Sequence, residues 1–197
     1  MKQLSDIVRE MKDYAEDYNI PIITDEGLNY LLNTIRQKHV KKVLEVGTAI
    51  GYSAIMMCSL DPELTVTTIE RDEKRYLEAI KNIKKAGMED RITLLYQDAL
   101  EVQIDEMFDL IFIDAAKAQN QKFFERFDKN LSPHGIIITD NMSFHGMVYK
   151  NPEEIESRNV RQLVRKVNDY KEFLEQNSFY HTEFLDIGDG LAVSERI

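Results

Sequence analysis

The chain has 197 residues, 43% of them hydrophobic, with only 8 Gly and 4 Pro, which fits one globular domain with a full core and excludes a disordered or low-complexity polypeptide. A net charge of −10 gives no global attraction for nucleic acid or an acidic surface and leaves room only for a local basic patch. Cys58 is the single cysteine, so an internal disulfide is excluded, and no apolar leader or membrane-length apolar run is visible; a cytoplasmic protein without membrane contact is expected.

Apolar residues at Leu4, Ile7, Val8, Met11, Tyr14, Ala15 and Tyr18 recur at helical spacing. Pro21 interrupts, and Thr24 is placed to cap a second helix running to about Lys38, with Asp25 and Glu26 suiting its first turn. From there strands and helices alternate. A strand at Lys42–Val46 turns through GTAIGYS into a helix over Ser53–Leu60, and Thr65–Glu70 is followed by a helix over Glu73–Ala86 that Gly87 closes. Strands at Ile92–Tyr96 and Phe108–Asp114 come next, then a helix over Gln119–Lys129. Ser132-Pro133-His134-Gly135 reads as a turn before a strand at Ile136–Thr139. A long polar helix spans Glu154–Gln176, and Tyr180–Ile187 and Leu191–Glu195 form an antiparallel hairpin around Gly188-Asp189-Gly190. This order implies an α/β doubly wound sheet in a single domain over residues 1–197.

Four apolar runs end at, or carry near their end, a carboxylate: VLEVG, VTTIE, LIFID and IIITDN. Short, non-alternating runs of Val, Ile and Leu are buried parallel strands, and ligands of open α/β sheets bind outside the strands' carboxyl ends. A row of acids there points to a cationic ligand, a metal or several hydroxyls, although one or two of them could simply cap the following helices. The glycines of the Gly47–Gly51 turn allow close backbone approach to a ligand, but the turn is neither G-x-G-x-x-G nor a phosphate-binding P-loop. Glu70, at a strand end, is placed to accept ribose hydroxyls. Glu45, inside its strand, would be a costly buried acid unless paired, for which a ligand's ammonium is suitable. Asp98-Ala99 could hold an adenine amino group, or else begin a short capped loop.

Asp114, Asp140 and Asn141 come from the ends of two neighbouring strands and supply oxygen alone, a set suited to a hard cation: Mg²⁺ most simply, otherwise Mn²⁺ or Ca²⁺. Lys117 follows Asp114 by three residues, beside that site.

The segments LEVGTAIGYSAI, TTIERDE, YQDAL, FIDAAK and TDN, in this order, together with the hairpin motif GDGLAVS, resemble the class I S-adenosylmethionine-dependent O-methyltransferases of the catechol and caffeoyl-coenzyme A branch. The resemblance implies a Rossmann-like fold with a mostly parallel seven-stranded sheet, a C-terminal antiparallel hairpin and helices on both faces. It implies that Ser53 and Asp114 hold the methionine part of the cofactor, Glu70 the ribose and Asp98-Ala99 the adenine end, with Ile23, Glu45 and Gly47 also at the cofactor. It places the metal on Asp114, Asp140 and Asn141 and catalysis on Lys117 and Asp114. It further implies a homodimer, with residues 1–40 covering the cofactor and contributing dimer contacts.

The acceptor must offer two adjacent oxygens, as a catechol or a 5-hydroxyuridine does. Arg158, Arg161 and Arg165 share a helical face that could hold phosphates, or could be a solvated face paired with Glu154 and Glu156. REMKDYAEDYNIPIITDEG and the region from Arg158 onward resemble the bacterial tRNA 5-hydroxyuridine methyltransferases, so methylation of a wobble uridine in tRNA is expected, with a small catechol or phenol as the alternative acceptor. His145, after the Asn141 loop, is a candidate for the substrate mouth.

Overall fold

The computed structural model describes residues 3–144 and 146–197. Its elements are α1 (Leu4–Asp17), α2 (Asp25–Gln37), β1 (Lys42–Val46), α3 (Tyr52–Cys58), β2 (Thr65–Glu70), α4 (Glu73–Ala86), β3 (Ile92–Tyr96), β4 (Phe108–Ile113), α5 (Asn120–Phe127), β5 (Leu131–Thr139), α6 (Arg158–Gln176), β6 (Tyr180–Leu185) and β7 (Leu191–Arg196). They build one seven-stranded sheet of order β3-β2-β1-β4-β5-β7-β6. Strands β1 to β5 pair in parallel, and β7 runs antiparallel to both β5 and β6.

Consecutive strand residues feed opposite cores, which is why their sequences do not alternate in polarity. Val43, Leu110 and Ile136 face a core built with α1, α2, α3 and α4, while Leu44, Ile111 and Ile137 face a second core built with α5 and α6. Helix α2 starts where Thr24 Oγ1 accepts the Gly27 N–H at 3.1 Å, and α4 starts at Asp72, which accepts the Arg75 N–H at 3.0 Å. The apolar face of α1, Ile7, Met11 and Ala15, is buried within the chain itself, so its amphipathic pattern calls for no second copy.

Two boundaries depart from the sequence expectation. Ser132-Pro133-His134-Gly135 is no separate turn but lies inside β5, where Phe108 pairs with Leu131 and Leu110 with Ile136. The extra residues bulge out opposite Asp109, and Gly135 permits it, since a Cβ there would stand 3.0 Å from the Asp109 carbonyl oxygen. The last helix begins at Arg158 rather than Glu154, because Ser157 caps it by accepting the Val160 N–H. Among the described residues no helix is long and apolar enough to cross a membrane.

Candidate active site

The carboxyl ends of β1, β2, β4 and β5 open onto a cavity of about 410 Å³. Its shape depends on the turn after β1. Gly47 has φ +102°, and a Cβ on it would lie 2.1 Å from the Asp114 carbonyl oxygen, so the turn and the end of β4 touch backbone to backbone. The N–H groups of Gly47 and Thr48 donate to the Ile69 carbonyl, tying the same turn to β2. At the end of β2, Glu70 Oε2 accepts the Ala49 N–H at 2.9 Å, and Oε1 accepts those of Arg71 at 2.9 Å and Asp72 at 2.8 Å. A carboxylate has about four acceptor positions, so Glu70 keeps capacity for about one more donor.

Ile23, Gly47, Ser53, Glu70, Asp98 and Ala99 line one part of this cavity. Asp98 accepts the Leu100 N–H at 2.9 Å and pairs with Arg71 at 3.1 Å; the backbone bond, then the guanidinium, holds its carboxyl below the usual range. Asp114, Lys117, Asp140 and Asn141 line the rest. Ten of the eleven residues that the sequence singled out line this one space, and the eleventh, Glu45, stands behind it. Glu45 is fully buried and does not line the cavity. It accepts the Ser53 hydroxyl and, at 2.5 Å, that of Thr68, which in turn bonds Thr48 at 2.6 Å. Burial pushes its carboxyl up to about 8, so it is neutral at pH 7 and needs no ammonium partner.

In the other half, Asn141 adopts φ +67°, a left-handed geometry that asparagine tolerates. Its Nδ2 donates to Asp114 Oδ1 at 2.9 Å, its Oδ1 accepts Lys117 Nζ at 2.5 Å, and its N–H donates to Asp140 Oδ1 at 2.6 Å. Burial raises the pKa of both Asp114 and Asp140. The neighbouring Asp114 charge pushes Asp140 further up, while Lys117 pulls Asp114 back. Among the described residues no cluster of three or more His, Cys, Asp and Glu side chains is poised to hold a metal, so any site here is two carboxylates and one amide. That all-oxygen donor set, anionic and buried, fits a hard divalent cation.

Asp189 is the site residue that sequence reading passed over as part of a turn. It is buried, lines the same cavity, accepts the Ser143 hydroxyl at 2.8 Å, and raises the pKa of both Asp114 and Asp140. The only signal was an acid between two glycines in a hairpin. Arg158, Arg161 and Arg165 stay outside the main cavity, exposed on α6, although α6 packs against the turn at Lys117–Gln119. His145 lies outside the described residues.

The chain is similar to known proteins over its whole length. A family model described as O-methyltransferase matches residues 1–197. The caffeoyl-CoA O-methyltransferase of Populus kitakamiensis is 28% identical, covering 94% of this chain and 82% of that protein. A Staphylococcus aureus crystal structure, provisionally described as a caffeoyl-CoA O-methyltransferase, superposes with a TM-score of 0.92 at 41% identity, over 96% of this chain and 92% of that one. An O-methyltransferase of Bacillus cereus in complex with SAH superposes with a TM-score of 0.83 at 25% identity, over 100% of this chain and 92% of that one. The fold is that of the Rossmann-like methyltransferases, and the chain belongs to the O-methyltransferase family as an S-adenosylmethionine-dependent enzyme.

Proposed function

We propose that the enzyme methylates the 5-oxygen of a 5-hydroxyuridine in the anticodon loop of tRNA, using a divalent metal. The observation that carries the methyl-transfer geometry is the single cavity shared by Ser53, Glu70 and Asp98 on one side and by Asp114, Asp140, Asn141 and Lys117 on the other. The first group binds the methyl donor: Glu70 takes a ribose hydroxyl, and Ser53 and Asp114 face the amino-acid end. Asp114, Asp140 and Asn141 would hold a divalent cation, which would supply Lewis acidity to the acceptor hydroxyl. Lys117 Nζ, steered by Asn141, takes the proton of the acceptor hydroxyl in its neutral amine form, and the oxygen then attacks the sulfonium methyl in line, breaking the S–C bond and leaving S-adenosylhomocysteine. Homodimer assembly is proposed with it, on the strength of the family resemblance.

The tRNA acceptor is supported by the arginines of α6, which make no ion pair with an acid among the described residues. The names of the relatives favour a second reading, a small catechol or phenolic acceptor. Mass spectrometry of tRNA nucleosides from a deletion strain separates the two. Accumulated 5-hydroxyuridine is expected; unchanged wobble uridines, together with methylation of a free catechol by the purified enzyme, would replace the tRNA reading by the phenolic one.

A further inference from the structure

Between Ser157 and Val167, α6 carries Arg158, Arg161, Arg165 and Lys166 and no acid. Several cations elsewhere pair with acids, among them Lys12 with Asp25, Lys41 with Asp61 and Glu63, and Arg71 with Asp98. Lys166 has Asp169 at 3.9 Å, but among the described residues none of the three arginines makes an ion pair. Glu153, Glu154 and Glu156 precede the helix without pairing to them, and Glu154 instead takes the Asn151 amide at 3.3 Å.

The three arginines are not equivalent. Arg161 Nη1 donates to the carbonyls of Ile155 and Glu156 and so clamps the approach to the helix. Arg158 and Arg165 make no side-chain hydrogen bond among the described residues. With Arg161, Gln162 and Asn168 they border a cavity of about 390 Å³ whose buried members are Ile155 and Val164. Two uncommitted guanidiniums ask for phosphate, which matches their forked donors. The almost wholly apolar floor suits the face of a flat ring. At Arg158, in the first turn of α6, the positive end of the helix dipole adds to the attraction. On a chain of net charge −10, such a local exception fits a polyanion that carries bases.

We infer that this groove seats a nucleotide of single-stranded RNA next to the base being methylated, with Arg158 and Arg165 on its phosphates and Ile155 and Val164 against its base. The inference rests on the tRNA reading above and adds to it a second subsite on α6.

The test uses the full chain with S-adenosylhomocysteine and a short RNA hairpin carrying one 5-hydroxyuridine in its loop, followed by fluorescence anisotropy at several salt concentrations. The double variant Arg158→Gln, Arg165→Gln should bind about tenfold more weakly or worse. Its dependence of log affinity on log salt should flatten by about 1.4, or ~0.7 for each lost contact to a single strand. Arg158→Lys, Arg165→Lys should recover most of that slope, because it keeps the charge. A thermal melt shows whether each variant is folded. Tight hairpin binding that is equal in the wild type and in the Gln double variant, at the same salt slope, overturns the groove while leaving the tRNA reading in place. A wild type that binds no hairpin overturns both. Coenzyme A binding to the wild type and not to the Gln double variant, without hairpin binding, assigns the groove to a nucleotide thioester and overturns the RNA inference as well.

Discussion

Glu70 is expected to hold the cavity together as much as it holds a ligand, and Glu70→Gln exposes the difference. Three backbone N–H groups converge on this side chain, which is 7% exposed: Arg71 and Asp72 on one oxygen, Ala49 on the other. An amide has one acceptor atom. If its oxygen keeps Arg71 and Asp72, its NH₂ group faces the Ala49 N–H, donor against donor. One charge-assisted bond is lost, at about 1.5–3 kcal/mol, and the two that remain weaken by about half as the charge disappears. A destabilisation of about 3–6 kcal/mol follows, which for a chain of this length lowers the melting temperature by about 6–24 °C. Because Ala49 belongs to the turn after β1, the variant should also bind S-adenosylhomocysteine about tenfold more weakly or worse. Scanning calorimetry reads the first effect and titration calorimetry the second. A variant that melts with the wild type while losing affinity would show that the three backbone bonds carry no stability, and the reasoning would be wrong.

Asp140→Asn should abolish methyl transfer, keep S-adenosylhomocysteine binding and, in the presence of chelator, melt above the wild type near neutral pH. The sign follows from burial and the Asp114 charge, which raise the Asp140 pKa in the fold: its contribution is full at acid pH and is lost as pH rises toward neutrality. Melts across pH in chelator check this, and an unchanged pH slope in the variant would count against it. Glu45→Gln should melt above the wild type near neutral pH, because the wild-type carboxyl ionises in the unfolded chain while burial raises it to about 8 in the fold. Its contribution is full at acid pH and is lost as pH rises toward about 8, and the variant should lack that decline. The same fall in melting temperature between acid and neutral pH in both proteins would remove Glu45 as its cause.

The strand ends were legible because a strand buried on both faces writes itself as an unbroken apolar run, and the first polar residue after it marks the sheet edge. That places Glu70, Asp114, Asp140 and Asn141 without any knowledge of their neighbours. The residues that escaped are those whose role is set by a partner distant in sequence. Glu45 reads as an acid in need of a cation until β2 brings up Thr68 and α3 brings up Ser53. Asp189 reads as turn chemistry until Ser143 folds against it. Ser132-Pro133-His134-Gly135 has the composition of a turn, and only the register of β4 turns it into a bulge. The arginine stripe was visible, but the division of labour within it was not, since Arg161 is committed by carbonyls from the preceding loop.

The contact of Gly47 with the Asp114 carbonyl has a consequence for how such enzymes diversify. The span from methyl donor to acceptor oxygens is fixed where two strand ends abut through their main chains, with no side chain in between to lengthen or shorten it. Surface segments such as α6 and the loop before it can therefore be rewritten for a new acceptor without recalibrating that reach. Position 47 itself has no such freedom: any larger residue would push β1 and β4 apart and spoil both halves at once.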